Sequence, residues 1–245
     1  MEELGAFCRA HGDIPIEQLQ GYGWVFCAGI INTLKIGVLC IPVVVVLGLL
    51  GAWAKLSRNR VAHTVGMTYT TIVRGVPELV LILLAYYGIT LALQASLSSM
   101  LGREIIIDIN PTVAGVMVLG LIYGAFATEV FRGAYLAVDR GQIEAAKAYG
   151  MNKETAFIRV ILPQMMRFAI PGLGNVWLVL IKATSLMSVI QLPELMRWTD
   201  VAARAVRMPF TFYFAASILY LTITIVSLWA LHRGERWASR GVRRA

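Results

Sequence analysis

The chain has 245 residues, 58% of them hydrophobic and only 15% charged, with a net charge of +8 and a mean hydropathy of +0.70. A water-soluble domain covers its surface with about a quarter charged residues, so this composition excludes an ordinary soluble protein and calls for a bilayer. The basic excess has no reader element beside it, which excludes a nucleic-acid partner.

The first segment, residues 1–21, sets Arg9 against Glu2, Glu3, Asp13 and Glu17. It lacks a basic n-region and is read as an external segment, not a cleavable signal peptide. Residues 36–54 are uncharged and form the first expected span, with Lys35 placed to snorkel and a kink expected at Pro42. Residues 61–102 hold only Arg74, Glu78 and one histidine. That is too long for one straight crossing at about 1.5 Å per residue, so a break is expected near Pro77, with the earlier part toward the cytoplasm. Residues 109–128 make the third span, and "GLIYG" at 120–124 has the small-xxx-small spacing of close helix packing. Residues 168–193 carry only Lys182, with a second kink expected at Pro171, and residues 208–231 are again uncharged. With about 20 residues per crossing, the expectation is an all-α integral membrane protein with five transmembrane helices. The domain plan is an external segment 1–21, a membrane domain 22–232 and a basic tail 233–245.

Charge orients it. Lys55, Arg58 and Arg60, then Arg132, Arg140, Lys147, Lys153, Arg159 and Arg167, then Arg233, Arg236, Arg240, Arg243 and Arg244 lie on alternate connections, fourteen of the 22 basic residues. The opposite connections hold Arg9, Arg103, Arg197, Arg204 and Arg207. The positive-inside rule therefore places the N-terminus outside and the C-terminus in the cytoplasm.

Residues 139–165 are then a cytoplasmic loop. Asp139 can cap a helix through Ile143 to Tyr149, Gly150 suits a left-handed stop, and Asn152 can cap a second helix ending by Pro163. Glu144 and Lys147, three apart, can brace one face. Periodicity alone leaves an ordinary solvated loop open. The residues narrow it. Glu144-Ala145-Ala146, Gly150, Val160 and Leu162-Pro163 resemble the EAA loop of bacterial ATP-binding-cassette importer permeases, with Val160 in the isoleucine place.

"TTIVRGVPELVLILLAYYG", "YGAFATEVFRGAYLAVDRGQIEAA" and "LPQMMRFAIPGLGNVWLVLIKATSL" extend the resemblance to the polar-amino-acid subfamily, over roughly residues 22–232. The nearest likeness is to the Q-type subunit of histidine, arginine and opine importers, to which Glu78 in "RGVPE" assigns the chain. Ala183 departs from the Asp or Ser that often follows the loop-distal lysine.

The resemblance implies a type I ABC importer (MetI-like) permease fold with cytoplasmic coupling helices, in a bacterial inner membrane. It implies two copies of an ABC ATPase carrying the ATP-Mg, a second related permease subunit and a periplasmic amino-acid-binding protein. The coupling residues would be Glu144, Ala145, Ala146, Lys147 and Gly150. No phosphate-cradling Gly-x4-Gly-Lys-Ser/Thr loop occurs, so the chain is read as no enzyme and as binding no cofactor itself. "GLGN" at 172–175 reads as a kink.

Charges inside a bilayer cost at least about 2.5–3.5 kcal/mol and face protein or water. Four are candidates for the substrate path: Arg74, Glu78, Glu129 and Lys182. Glu129 can instead pair with Arg132, three residues on, and Lys182 can serve packing against a partner subunit. The three histidines are scattered and suggest no metal site. Cys8, Cys27 and Cys40 have no metal spacing and read as small buried hydrophobes, with no disulfide framework. The competing class is a stand-alone channel or secondary transporter, which would often show repeated halves; no internal repeat is evident.

Overall fold

The computed structural model describes Cys8, residues 21–103 and residues 110–238, and the described residues form helices and no strand. In chain order these are α1 (Trp24–Leu56), α2 (Arg60–Gly75), α3 (Glu78–Leu101), α4 (Pro111–Leu136), α5 (Arg140–Ala148), α6 (Lys153–Ile190), α7 (Leu195–Val206) and α8 (Pro209–Ala238). Five of them, α1, α3, α4, α6 and α8, are long and apolar enough to cross a bilayer. Of the expected segment 1–21 all but Cys8 and Gly21, and of the expected tail 233–245 residues 239–245, lie outside the described residues.

Local chemistry sets the boundaries. Asn59 and Asn110 accept hydrogen bonds from Val61 N and Thr112 N, each at 2.9 Å, and so open α2 and α4. The break expected near Pro77 lies between α2 and α3. Val76 is extended (φ −100°, ψ 140°), as the ring of a following proline demands. Pro42 and Pro171 sit inside uninterrupted helices.

Pro163 does not end the second loop helix. The helix that Asn152 caps runs on through a wide π turn at Phe157–Ile161 into the fourth span. The wider turn makes room for the proline ring, and the Gln164 side-chain amide donates to the Val160 carbonyl at 3.0 Å. The fourth span thus begins well before residue 168, and Lys182 lies toward its far end.

The central seam is α1 against α4. A Cβ on Gly120 would collide with Val43, and one on Gly124 would come within 2.8 Å of Leu47 Cβ. The "GLIYG" spacing is therefore a close-packing device. Around this seam Ile36, Cys40 and Val44 meet Leu119, Ile122 and Tyr123 in the main core.

A second core closes the opposite end from α5. Trp24 meets Trp198 edge-on at 5.4 Å, and Phe26 stacks on Phe212 at 5.9 Å. Here Glu194, 0% exposed, caps α7 by accepting from Met196 N (2.8 Å) and Arg197 N (2.7 Å), while the Tyr220 hydroxyl donates to it at 2.8 Å. Burial outweighs those three bonds and pushes its carboxyl up to about 7.

Candidate functional site

Two places carry the chemistry that the sequence singles out. The first is a polar track along one face of α4, where Tyr123, Phe126 and Glu129 recur at three-residue spacing. Phe126 and Glu129 border an open cleft of about 470 Å³ that is also lined by Lys55, Thr70, Thr71, Arg74 and Gly75. The Arg74 guanidinium lies 5.2 Å from the centre of the Phe126 ring, a cation–π contact. Phe126 stacks on buried Tyr123 at 5.7 Å. Tyr123 in turn donates its hydroxyl proton to Glu78 at 3.0 Å.

The two carboxylates of this track differ. Glu129 is fully engaged: one oxygen meets Lys55 Nζ, and the other meets Arg132 Nε at 3.3 Å. Lys55 also donates to Thr70 Oγ1 at 2.9 Å. Two cations already neutralise Glu129, which leaves little field for a third. Glu78 has only a neutral hydroxyl beside it, and no cation lies in ion-pair range among the described residues. A half-buried carboxylate without a counter-charge attracts a cationic group more strongly than one already paired.

Of the four charges named from sequence, the fold brings Arg74, Glu78 and Glu129 to this one track. Lys182 is elsewhere. It is exposed on the surface of the single chain and has no ion-pair partner among the described residues. Sequence reasoning missed Lys55 as a site residue, assigning it to the topology-setting charges. Its side chain is 6% exposed and ties α1 to α2 and α4. Its partners are distant in sequence, and the one available signal was a lysine directly abutting an uncharged run.

The second place is the loop. Asp139 accepts from Gly141 N at 2.6 Å and starts α5. The helix ends as foreseen: Gly150 has φ +72°, its N–H reaches the Lys147 carbonyl at 2.9 Å, and Met151 N–H reaches the Ala146 carbonyl at 3.1 Å. These bonds form a left-handed glycine cap. Ala146 is buried, and Ile143 packs on the main core, seating α5 on the start of α6. Glu144, Ala145, Lys147 and Gly150 face outward. The expected brace is absent, because Glu144 and Lys147 make no ion pair among the described residues; each extends separately into solvent. Tyr149, 86% exposed at the tip, is the loop residue that sequence reasoning passed over. Its position just before the stop glycine was the available clue.

Along the chain, α5 follows the α4 residues of the polar track, with Arg132 between them. The last turns of α4 carry Glu129 and Arg132 toward Asp139. A short connection, residues 137–139, therefore joins the helix that carries the track to the loop.

Comparison with known proteins gives a consistent picture. Residues 44–240 match the family described as binding-protein-dependent transport system inner membrane component. The histidine/lysine/arginine/ornithine transport system permease protein HisQ of Salmonella typhimurium is 45% identical over 227 residues, covering 93% of this chain and 99% of that protein. The nopaline transport system permease protein NocQ of Agrobacterium fabrum is 42% identical over 233 residues, covering 94% and 99%. A solved amino acid ABC transporter with histidines superposes with a TM-score of 0.77 at 30% identity, over 91% of this chain and 98% of that one. The inward-facing MetNI methionine ABC transporter shares the fold, with a TM-score of 0.67 at 16% identity over 89% and 97%.

Proposed function

Because this chain belongs to the binding-protein-dependent transport system inner membrane component family, and is therefore a permease subunit and not the ATPase, we propose that its cargo is a basic amino acid or an opine. The reading rests on relatives named for histidine, lysine, arginine, ornithine and nopaline transport. The observation that carries it within this chain is the Glu78 carboxylate, held by the Tyr123 hydroxyl with no cation in ion-pair range among the described residues, on the same track whose Phe126 and Glu129 border the open cleft. A half-buried carboxylate without a counter-charge rewards a ligand ammonium or guanidinium and disfavours a ligand anion. Arg74, held over Phe126, is placed to meet the ligand's own carboxylate. Glu129 is assigned to structure by its two cationic partners.

The assembly proposed is two copies of an ABC ATPase with ATP-Mg, this permease beside a second related permease subunit, and a periplasmic amino-acid-binding protein. The exposed Lys182 fits the seam with that second subunit. The N-terminus faces the periplasm and α5 the cytoplasm, as the basic-residue asymmetry supports. The outward residues Glu144, Ala145, Lys147 and Tyr149 enter a groove of the ATPase, with Ala146 and Gly150 holding the rod at its angle. ATPase closure then moves α5, and through α4 the polar track.

The test is Glu78→Gln in the complete complex reconstituted in proteoliposomes. Uptake of arginine or histidine falls by an order of magnitude or more, while assembly and basal ATP hydrolysis persist. Unchanged uptake would remove the cation preference from this chain.

A further inference from the structure

An apolar groove of about 570 Å³, apart from both the polar track and the loop, runs between α1, α6 and α8. Val176 and Leu180 of α6 are its buried floor, and Ile41 of α1 and Val226 of α8 stand exposed at its rims. A Cβ on Gly174 would come within 2.7 Å of the Leu231 side chain, so α8 closes tightly on α6 there. The polar side-chain atoms of the described lining, Trp177 Nε1 and Ser227 Oγ, are bonded to each other at 3.1 Å. The interior therefore offers no side-chain polar partner and suits hydrocarbon alone. Along α6 the lining runs from Ile170 to Leu180, roughly 15 Å at about 1.5 Å per residue. That is half of a hydrocarbon core about 30 Å thick, the depth of one leaflet.

One end of the groove is basic. Gly234 ends the lining on α8; Arg233 precedes it and Arg236 follows two residues on. The Arg233 guanidinium lies 4.6 Å from the centre of the exposed Trp229 ring, an arrangement suited to the bilayer edge. On α6, Arg167 lies three residues before Ile170 and so continues the face that lines the groove. Its Nε is buried with no hydrogen-bond partner among the described residues, and a buried guanidinium donor without an acceptor favours an anion that can reach it. Glu235 is the one acidic residue between 230 and 238, and it joins no ion pair among the described residues. Three arginines against one glutamate leave this end positive.

We propose that this groove seats one acyl chain of an anionic phospholipid, with the lipid phosphate taken by Arg167, Arg233 and Arg236. An amphiphile of that kind matches both ends of the feature: hydrocarbon one leaflet deep, and an anion where the guanidinium groups gather. A partner's transmembrane helix crosses both halves of the bilayer, whereas this groove occupies one. The leaflet rests on the orientation proposed above, which puts the C-terminal end of α8, and with it the headgroup, on the cytoplasmic side.

The probe is phosphatidylglycerol with a photoactivatable diazirine in one acyl chain, at trace level in phosphatidylcholine vesicles that hold the complete complex. After illumination, labelled peptides are identified by mass spectrometry. Label concentrates on residues 170–180 and 226–234, well above its level on α3, whose apolar face is also exposed. Added unlabelled phosphatidylglycerol removes it, and the same amount of phosphatidylcholine does not. Arg167→Gln combined with Arg233→Gln lowers the groove label by about an order of magnitude. Ala230→Phe, which fills the groove, lowers it likewise, and basal ATP hydrolysis verifies that both complexes are assembled. Equal labelling of α3 and the groove, or full groove label in the double arginine variant, would overturn the proposal. So would efficient crosslinking of Ala230→Cys to the second permease subunit, which would assign the groove to the seam between subunits. The orientation fails separately: an external maleimide that reaches Ser239→Cys, with the groove label intact, moves the lipid to the other leaflet and leaves its site standing.

Discussion

Gly150→Val isolates the coupling geometry from the rest of the protein. Gly150 sits at φ +72°, and an added Cβ would meet nothing within 4 Å. There is no clash to relieve, so the cost is that of a β-carbon in the left-handed region, about 1–2 kcal/mol. A penalty of that size lowers the population of the native turn roughly 5–30-fold. The turn sets the angle between α5 and α6, because the Met151 N–H to Ala146 carbonyl bond of 3.1 Å closes across it. None of the five spans is touched, so the variant inserts at wild-type levels. ATP hydrolysis and amino-acid uptake are then measured side by side in proteoliposomes, with a pull-down of the ATPase. Expected is a loss of uptake of about an order of magnitude, through weakened docking or through hydrolysis that no longer responds to ligand. Gly150→Asn recovers much of the coupling, because asparagine tolerates this conformation. Wild-type uptake per ATP in Gly150→Val would refute the claim that the α5–α6 angle transmits closure.

Three further outcomes follow from the same structure. Lys55→Met removes one of the two cations on Glu129 and the donor to Thr70; the thermal midpoint of the purified complex drops by the equivalent of about 1.5–3 kcal/mol, and an unchanged midpoint would show the cluster to be idle. Glu194 has a folded-state value of about 7, above its ordinary value of 4.5, so the folded state binds more protons between those limits and its stability falls as pH rises from about 4.5 to 7; thermal scans from pH 5 to 8 show this slope, and Glu194→Gln flattens it. In sealed cells lacking other cysteines, an external maleimide labels Ala10→Cys and misses Ser239→Cys; labelling of the second site would invert the topology.

Much of this was legible because hydropathy and punctuation are local signals. Apolar runs of bilayer length, four uncharged and one carrying only Lys182, locate all five spans, Pro77 locates the break, and Asp139, Gly150 and Asn152 mark the turns of the loop. The EAA pattern reaches the family because its spacing encodes one compact turn. The competing reading of a stand-alone channel or secondary transporter is superseded by the family match. The failures are non-local or involve compensation. Pro163 normally stops a helix, yet a π turn absorbs it. Lys55, Thr70 and Glu129 lie on three different helices, and no periodicity along one helix can join them. Glu194 was overlooked because a glutamate between two apolar stretches resembles a loop charge until its cap and Tyr220 are seen.

The central claim is that this permease passes cationic amino acids by way of Glu78 and couples them to ATP through α5. The most direct measurement is ligand-stimulated ATP hydrolysis by the complete reconstituted complex across a panel of basic, neutral and acidic amino acids and opines. The account predicts stimulation by arginine, lysine, ornithine, histidine or an opine and little by glutamate or leucine, with the basic response lost in Glu78→Gln. Equal stimulation by acidic and basic ligands, or a full basic response in Glu78→Gln, would contradict it.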